Sequence, residues 1–184
     1  IRMAKDEELL RLMRASGCRE VLIGIESPNA KDLDGVELRN NWKSRQSITA
    51  QQAVPIVQSH GIMVNGCFVL GLDSHGPEIF SEIYDFVCQT NLFDVQITFL
   101  TPFPGTPLYT RLLNEGRLLN PTDWDKCTLF DINFEPKGMS REVLARGYSN
   151  LAIELYNDSF TRARRSSLRK WLRQHQIRSL TPYN

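Results

Sequence analysis

The chain lacks several of the signatures that would place its chemistry at once. Its four cysteines, Cys18, Cys67, Cys88 and Cys127, stand far apart and make no CxxC-type metal spacing. Their scatter through apolar stretches suits buried free thiols better than a disulfide framework. The three histidines, His60, His75 and His175, are equally dispersed, so a histidine-based metal site or a catalytic dyad has no support. Neither a GxxxxGK(S/T) loop nor a GxGxxG fingerprint occurs, which removes two common phosphate-cradling turns. The run Asp32-Leu33-Asp34-Gly35 lacks the spacing of a calcium loop. No apolar stretch reaches the roughly 18 residues needed to span a bilayer, and Ile1, Arg2, Met3, Ala4 and Lys5 form no signal-peptide apolar region, so the default expectation is a cytoplasmic protein.

Acid is missing from one segment. Between residues 160 and 178 stand Arg162, Arg164, Arg165, Arg169, Lys170, Arg173 and Arg178 without one carboxylate, although the net charge of all 184 residues is only +1. The remainder is therefore acidic on balance. Such a segment suits either a solvated helix face or a surface for nucleic acid, anionic membrane or a partner. With little aromatic character beyond Trp171, it gives no strong nucleic-acid signal.

What is present is an alternation of helix and strand patterns. Residues 5–16 read as a helix with Leu9, Leu10, Leu12 and Met13 as its apolar stripe, and residues 20–26 as a strand whose continuous apolar middle predicts cover on both faces. After a polar loop over residues 27–47, Thr49 and Gln52 offer a capping box for a helix to about His60, with Pro55 predicting a kink or a late start. The unit then repeats. Residues 62–72 read as a second strand, followed by a helix with Ile79, Ile83, Phe86 and Val87 on one face; residues 94–100 read as a third strand, followed by a helix over 107–115. Strands following one another with intervening helices imply right-handed βαβ units and a parallel α/β sheet. Residues 118–137 are irregular, Ser140 caps a long amphipathic helix, and a basic helix includes residues 160–174. A boundary is expected near residue 117, separating 1–117 from an irregular segment and helical extension over 118–184.

The third strand runs into Thr101-Pro102-Phe103-Pro104-Gly105-Thr106-Pro107, a turn stiffened by three prolines and opening directly into a helix. In parallel α/β proteins ligands gather where strands end. That rule selects Glu26-Ser27, the segment from Gly71 through Asp73 to Gly76, and the turn from Thr101 to Thr106. Glu26 and Asp73 are suited to accept hydrogen bonds from an amine or ribose hydroxyls, while Gly66 and Gly71 would let a flat ligand or neighbouring backbone approach. Taken singly, each also suits a structural role as turn, cap or packing position.

The segments Gly17-Cys18-Arg19-Glu20-Val21-Leu22-Ile23-Gly24-Ile25-Glu26-Ser27, Asn65-Gly66-Cys67-Phe68-Val69-Leu70-Gly71-Leu72-Asp73 and Leu100-Thr101-Pro102-Phe103-Pro104-Gly105-Thr106-Pro107-Leu108-Tyr109 resemble the fourth, fifth and sixth strands of a radical S-adenosylmethionine enzyme, of the type often joined to a cobalamin-binding domain. The resemblance implies half of a partial (β/α)6 TIM-like barrel with three parallel strands, flanking helices and a C-terminal helical extension. It implies that Glu26 and Ser27 help hold the cofactor's methionine or ribose, that Val69 with Gly71 packs on the adenine, and that Thr101, Pro102 and Gly105 line the adenine side. Ser74 stands where such enzymes often carry an acid. The implied cofactors are S-adenosylmethionine and a 4Fe-4S cluster, with cobalamin as a further candidate.

The cluster needs three cysteines at CxxxCxxC spacing, which this chain does not contain. The expectation is therefore a fragment, inactive alone, whose partner is the missing N-terminal half of the same polypeptide. It would contribute the cofactor and substrate-binding half of an enzyme that methylates, rearranges or oxidises a small-molecule or lipid substrate. The competing expectation is a non-catalytic binding or assembly module that uses the basic C-terminal helix. An apolar strand edge left unpaired by such a cut further predicts homo-oligomers of the isolated chain.

Overall fold

The computed structural model describes residues 1–33 and 48–174. Most of the 27–47 loop, with Asp34 and Gly35, and the C-terminal His175 and Arg178 lie outside the described residues. Three strands, β1 (Glu20–Glu26), β2 (Met63–Leu70) and β3 (Asp94–Phe99), form one parallel sheet in the order β1-β2-β3. The helices are α1 (Glu7–Ala15), α2 (Ala50–Ser59), α3 (Ile79–Gln89), α4 (Pro107–Asn114), α5 (Arg141–Tyr156) and α6 (Asp158–Gln174). The α/β alternation read from the sequence is the architecture found.

Local chemistry sets most helix starts. Thr49 and Gln52 form the reciprocal capping box of α2, Thr106 caps α4 with Pro107 in its first turn, and Ser140 caps α5. The late start predicted from Pro55 does not occur: α2 begins at Ala50 and runs through Pro55. The box fixes the N-terminus, and so early in the helix the proline removes only the bond its own N–H would have made to Gln51. In α1 the expected stripe is narrower than the sequence implied, since Leu10 is fully buried while Leu9 and Leu12 are exposed. The cysteines are free, as expected, but Cys88 is exposed and the other three are only half-buried.

The sheet has two unlike faces. Ile23, Ile25, Gly66, Phe68, Leu70, Val95, Ile97 and Phe99 are buried against the helices, with Phe68 meeting Phe86 of α3 edge-on at 5.4 Å. Between them stand Leu22, Gly24, Asn65, Cys67, Val69, Gln96 and Thr98, all half-buried or exposed, so the sheet is not covered on both faces by the described residues. Phe134, Leu144, Leu151 and Leu155, from the irregular segment and α5, share one core with Ile23, Val64 and Ile97. Gly71 ends β2 at φ +92°, and a Cβ placed there would lie 2.8 Å from Phe134 Cζ. Phe134 thus packs directly on the backbone that turns away from the sheet.

The two sheet edges also differ. On the outer edge of β3, Val95 N–H donates to Asp94 Oδ1 at 3.0 Å, Ile97 N–H to the Tyr156 hydroxyl at 3.2 Å and Phe99 N–H to the Leu129 carbonyl at 2.8 Å. The Tyr148 hydroxyl donates to the Ile97 carbonyl at 3.4 Å and its ring packs on Phe99 at 4.4 Å. Helix α5 therefore supplies what a further strand would have supplied. At the other edge β1 pairs with β2 alone among the described strands, and Leu22 on it is 62% exposed. Replacing Tyr156→Phe is expected to destabilise the fold by about 1–2 kcal/mol, because the Ile97 N–H loses its acceptor. Urea unfolding measures this, and an unchanged midpoint would show that water replaces the phenol.

Candidate cofactor face

The open face of the sheet is polar in its middle. Parallel register sets Gly24 beside Cys67 and Cys67 beside Gln96, with Val69 beside Thr98 one step towards the carboxyl end. The Cys67 thiol donates to Gln96 Oε1 at 3.3 Å. Burial, and secondarily the Glu26 carboxylate, pushes the Cys67 thiol up, so it stays protonated at neutral pH. Asn65 lies on the same face, and its buried Oδ1 accepts no hydrogen bond. A buried acceptor without a donor is costly, and this one is enclosed by the described residues around it.

Glu26 closes β1 in a left-handed conformation, φ 67°, where the register with β2 shifts between Gly24 and Glu26. A non-glycine residue pays roughly 1–2 kcal/mol to sit there. Such strain persists where surrounding structure enforces it, and it clusters at functional sites. Ser27, 3% exposed, is turned away from the open face and donates to Asp32 Oδ2 at 2.5 Å. His75 stands beside the same carboxylate oxygen at 3.6 Å, almost fully buried, with neither ring nitrogen hydrogen-bonded. Burial lowers its pKa against the pull of Asp32 and Glu78, so the imidazole is neutral at neutral pH.

Asp73 is engaged inside the protein. Arg111 Nη1 donates to one of its oxygens at 2.5 Å and Arg117 Nη2 to the other at 2.8 Å, with Lys137 Nζ at 3.5 Å. The residue ties the end of β2 to α4 and the segment after it. Thr101 is buried, its hydroxyl within reach of the Phe99 carbonyl at 3.1 Å and the Thr128 carbonyl at 2.8 Å. Pro102 is buried beside it, while Gly105 takes φ +80° with open space around it. The space over Gly71 is filled by Phe134, so the close approach expected there is made by a side chain of this chain.

Of the residues singled out in the sequence, Glu26 and Val69 share the open face, and Thr101, Pro102 and Gly105 form the turn at its carboxyl end. Ser27, Gly71 and Asp73 do not share that face. Asn65, Cys67, Gln96 and Thr98 were missed, though their two-residue spacing inside otherwise apolar strands was the available signal. The basic helix also reads differently once folded. Arg164 is 5% exposed, with its guanidinium over the Phe160 ring at 5.7 Å, and Arg165 lies over Phe93 at 4.9 Å while donating to Asp94 Oδ2 at 3.0 Å. Two of the residues most central to the basic run dock α6 onto the sheet.

Ligands of parallel α/β sheets gather outside the carboxyl ends of the strands, which here are the turns at Glu26, Gly71 and Thr101. Residues 106–181 match the family model described as Domain of unknown function (DUF4070). The chain is 32% identical over 152 residues to the bacteriochlorophyllide d C-12(1)-methyltransferase of Chlorobaculum tepidum, covering 83% of this chain and 32% of that protein. It is 29% identical over 154 residues to the hopanoid C-2 methylase of Rhodopseudomonas palustris, covering 83% and 28%. To the anaerobic magnesium-protoporphyrin IX monomethyl ester cyclase of Rubrivivax gelatinosus it is 26% identical over 157 residues, covering 85% and 27%. The chain thus spans about a third of the length of these relatives. The resemblance read from the sequence is borne out: the chain is similar to methyltransferases and cyclases of the radical S-adenosylmethionine class over most of its length.

The Asp73 clamp has a measurable acid limit. Burial alone would raise its carboxyl, but the hydrogen bonds from Arg117 and Arg111 outweigh burial and hold it at about 2, below the ordinary 3.8. A depressed folded-state pKa gives stability that is present above about pH 4 and lost as the pH falls towards 2. Allowing for solvent screening at this partly exposed site, that contribution is about 1 kcal/mol. Asp73→Asn is expected to lower stability by about that much at pH 7 and to flatten its loss below pH 4, as read by denaturant midpoints across pH.

Proposed function

We propose that this chain is the cofactor and substrate-binding half of a radical S-adenosylmethionine methyltransferase or cyclase, folded as half of a partial (β/α)6 barrel whose lumen is the open face of the sheet. The observation that carries the reading is that face itself, which α6 covers at its amino end around Met63 and which carries the half-buried or exposed Cys67, Val69, Gln96 and Thr98 towards its carboxyl end, beside the strained Glu26. In this reading Glu26 takes the amino group or ribose hydroxyls of S-adenosylmethionine, and Val69 packs against its flat base. The turn of Thr101, Pro102 and Gly105 is the wall on the adenine side. The cofactor, bound in the whole enzyme, supplies the radical chemistry by which an unreactive carbon is methylated, rearranged or oxidised.

The described residues do not fit a 4Fe-4S cluster. No group of three His, Cys, Asp or Glu side chains among them could hold a metal ion, and the four cysteines are separate free thiols. The cluster ligands, and any cobalamin domain, belong in this reading to another part of the same polypeptide, which also supplies the strand that pairs with β1. Alone, the chain is inactive. No described helix is long and apolar enough to cross a membrane.

Equilibrium dialysis with labelled S-adenosylmethionine tests the cofactor role. Weak binding is expected, falling about tenfold in Glu26→Gln with the loss of one charge-assisted hydrogen bond. Equal binding by both proteins would overturn the assignment of Glu26, and iron-sulfur absorbance after anaerobic loading of the chain would overturn the division of labour. With no described strand on the far side of β1, light scattering is expected to show self-association that rises with concentration, and a monomer throughout would contradict a bare edge.

A further inference from the structure

A buried imidazole stands where the loops after β1 and β2 meet, and no described group hydrogen-bonds to its ring. His75 is 2% exposed, with both ring nitrogens enclosed and unpartnered. Its backbone is pinned, since its N–H donates to the Leu72 carbonyl at 2.9 Å and Gly138 packs so closely on its carbonyl that a Cβ there would overlap it. Burial and backbone together leave the ring little room to move. The charged groups that face it are both acids: Asp32, whose Oδ2 lies 3.6 Å from Nε2, and Glu78 at the start of α3. Other charged groups on the elements around it are engaged elsewhere, Glu82 of α3 by Asn29 Nδ2 at 2.8 Å and Lys137, beside Gly138, by Asp73 at 3.5 Å.

Asp32 connects this ring to Glu26. Its Oδ2 accepts from the Ser27 hydroxyl at 2.5 Å, and the Ser27 oxygen accepts in turn from the Asn29 N–H at 3.3 Å. The Ser27 N–H donates to the Ile25 carbonyl at 2.9 Å, closing a three-residue turn with Glu26 at its centre, φ 67°. A left-handed glutamate persists only where its surroundings enforce it, and the Ser27–Asp32 bond anchors the very next residue. One carboxylate oxygen thus serves Ser27 while facing a ring that would need it once protonated. A buried imidazolium must be paired, and Asp32 is the carboxylate in ion-pair range. Asp32 lies on a short 3-10 turn (Ala30–Leu33), and its side chain, 15% exposed against 1% for His75, is the freer of the two. Closing the gap to the ring therefore draws the carboxylate off Ser27.

We propose that His75 and Asp32 are positioning residues that make the Glu26 turn an acid-sensitive latch: with His75 neutral, Asp32 holds Ser27 and the turn is set for the cofactor, and with His75 protonated, Asp32 pairs with the ring and the turn is released. The inference rests on the proposed function only in assigning the cofactor to Glu26. Burial keeps the imidazole neutral at neutral pH against the pull of the two acids, so the set state prevails there. The released state is reached as the pH falls below the ordinary histidine value of 6.5.

The latch is read without cofactor by NMR of the isotope-labelled 184-residue chain, titrated from about pH 7.5 to about pH 5. The backbone amides of Glu26 and Ser27 are expected to shift with the same midpoint as the His75 ring, and to lose that response in His75→Gln and in Asp32→Asn. Should His75→Gln fail to fold, His60→Gln and His175→Gln identify the ring by elimination, and the wild-type midpoints decide. Amides that stand still while the ring titrates, a ring that stays neutral throughout, or the same shifts in folded His75→Gln overturn the proposal. Equilibrium dialysis ties the latch to binding. S-adenosylmethionine affinity is expected to be about tenfold weaker at about pH 5.5 than at about pH 7.5 in the wild type and to lose that difference in His75→Gln, whereas an equal loss in both proteins overturns the coupling. A chain that keeps the coupled amides but binds no S-adenosylmethionine at either pH defeats the cofactor reading and leaves the latch standing.

Discussion

The backbone of Ile97 is satisfied by two phenols rather than by a fourth strand, and the shape of the protein follows from that substitution. A strand edge must present its N–H and C=O groups to something, and α5 brings Tyr156 and Tyr148 to β3 while Leu129 and Asp94 complete the row. Burial raises both phenols further above neutrality, so they remain uncharged hydrogen-bonding groups. Once α5 is fixed there, Leu144, Leu151 and Leu155 join the core and Phe134 is pressed over Gly71. The irregular segment is then carried back across the end of β3. The C-terminal extension is therefore part of the wall of the sheet as well as an appendage to it.

Most helices cover one face, and α6 reaches only the amino end of the other around Met63 and Asp94, so the carboxyl half of that face is the part left open among the described residues. The two-residue period of a strand sorts Phe68 and Leu70 to the core and Cys67 and Val69 to the other face, so one apolar-looking run supplies both. The residue most exposed to this division is Glu26, where the register with β2 breaks and the backbone enters the left-handed region. At the carboxyl ends of the strands the loops are tied by polar clamps. Asp73 holds the end of β2 to Arg111 and Arg117, and Asp32 holds the Ser27 loop beside His75.

Much of this was legible in the sequence because it was local. The caps at Thr49, Thr106 and Ser140, the buried face of Ile79, Ile83, Phe86 and Val87, and the three parallel strands all follow from spacing within a few residues. What was hidden depends on contacts between distant residues. Nothing near Tyr148 or Tyr156 announces that their hydroxyls seal a strand some fifty residues earlier. Arg164 and Arg165 looked like a solvated charge run until Asp94, Phe93 and Phe160 were seen to receive them. Gly71 was recognisable as a place of close approach, but the sequence did not say that Phe134 would be what approached. Asp73 looked available to a ligand because its arginines lie 38 and 44 residues away.

The left-handed turn at Glu26 has a consequence for how this protein can evolve. Glycine would occupy the same backbone conformation with the strain relieved, so selection for heat tolerance alone would favour Glu26→Gly. In the proposed function, selection for a carboxylate that holds the cofactor opposes it. The residue kept at that position records which of the two pressures has prevailed.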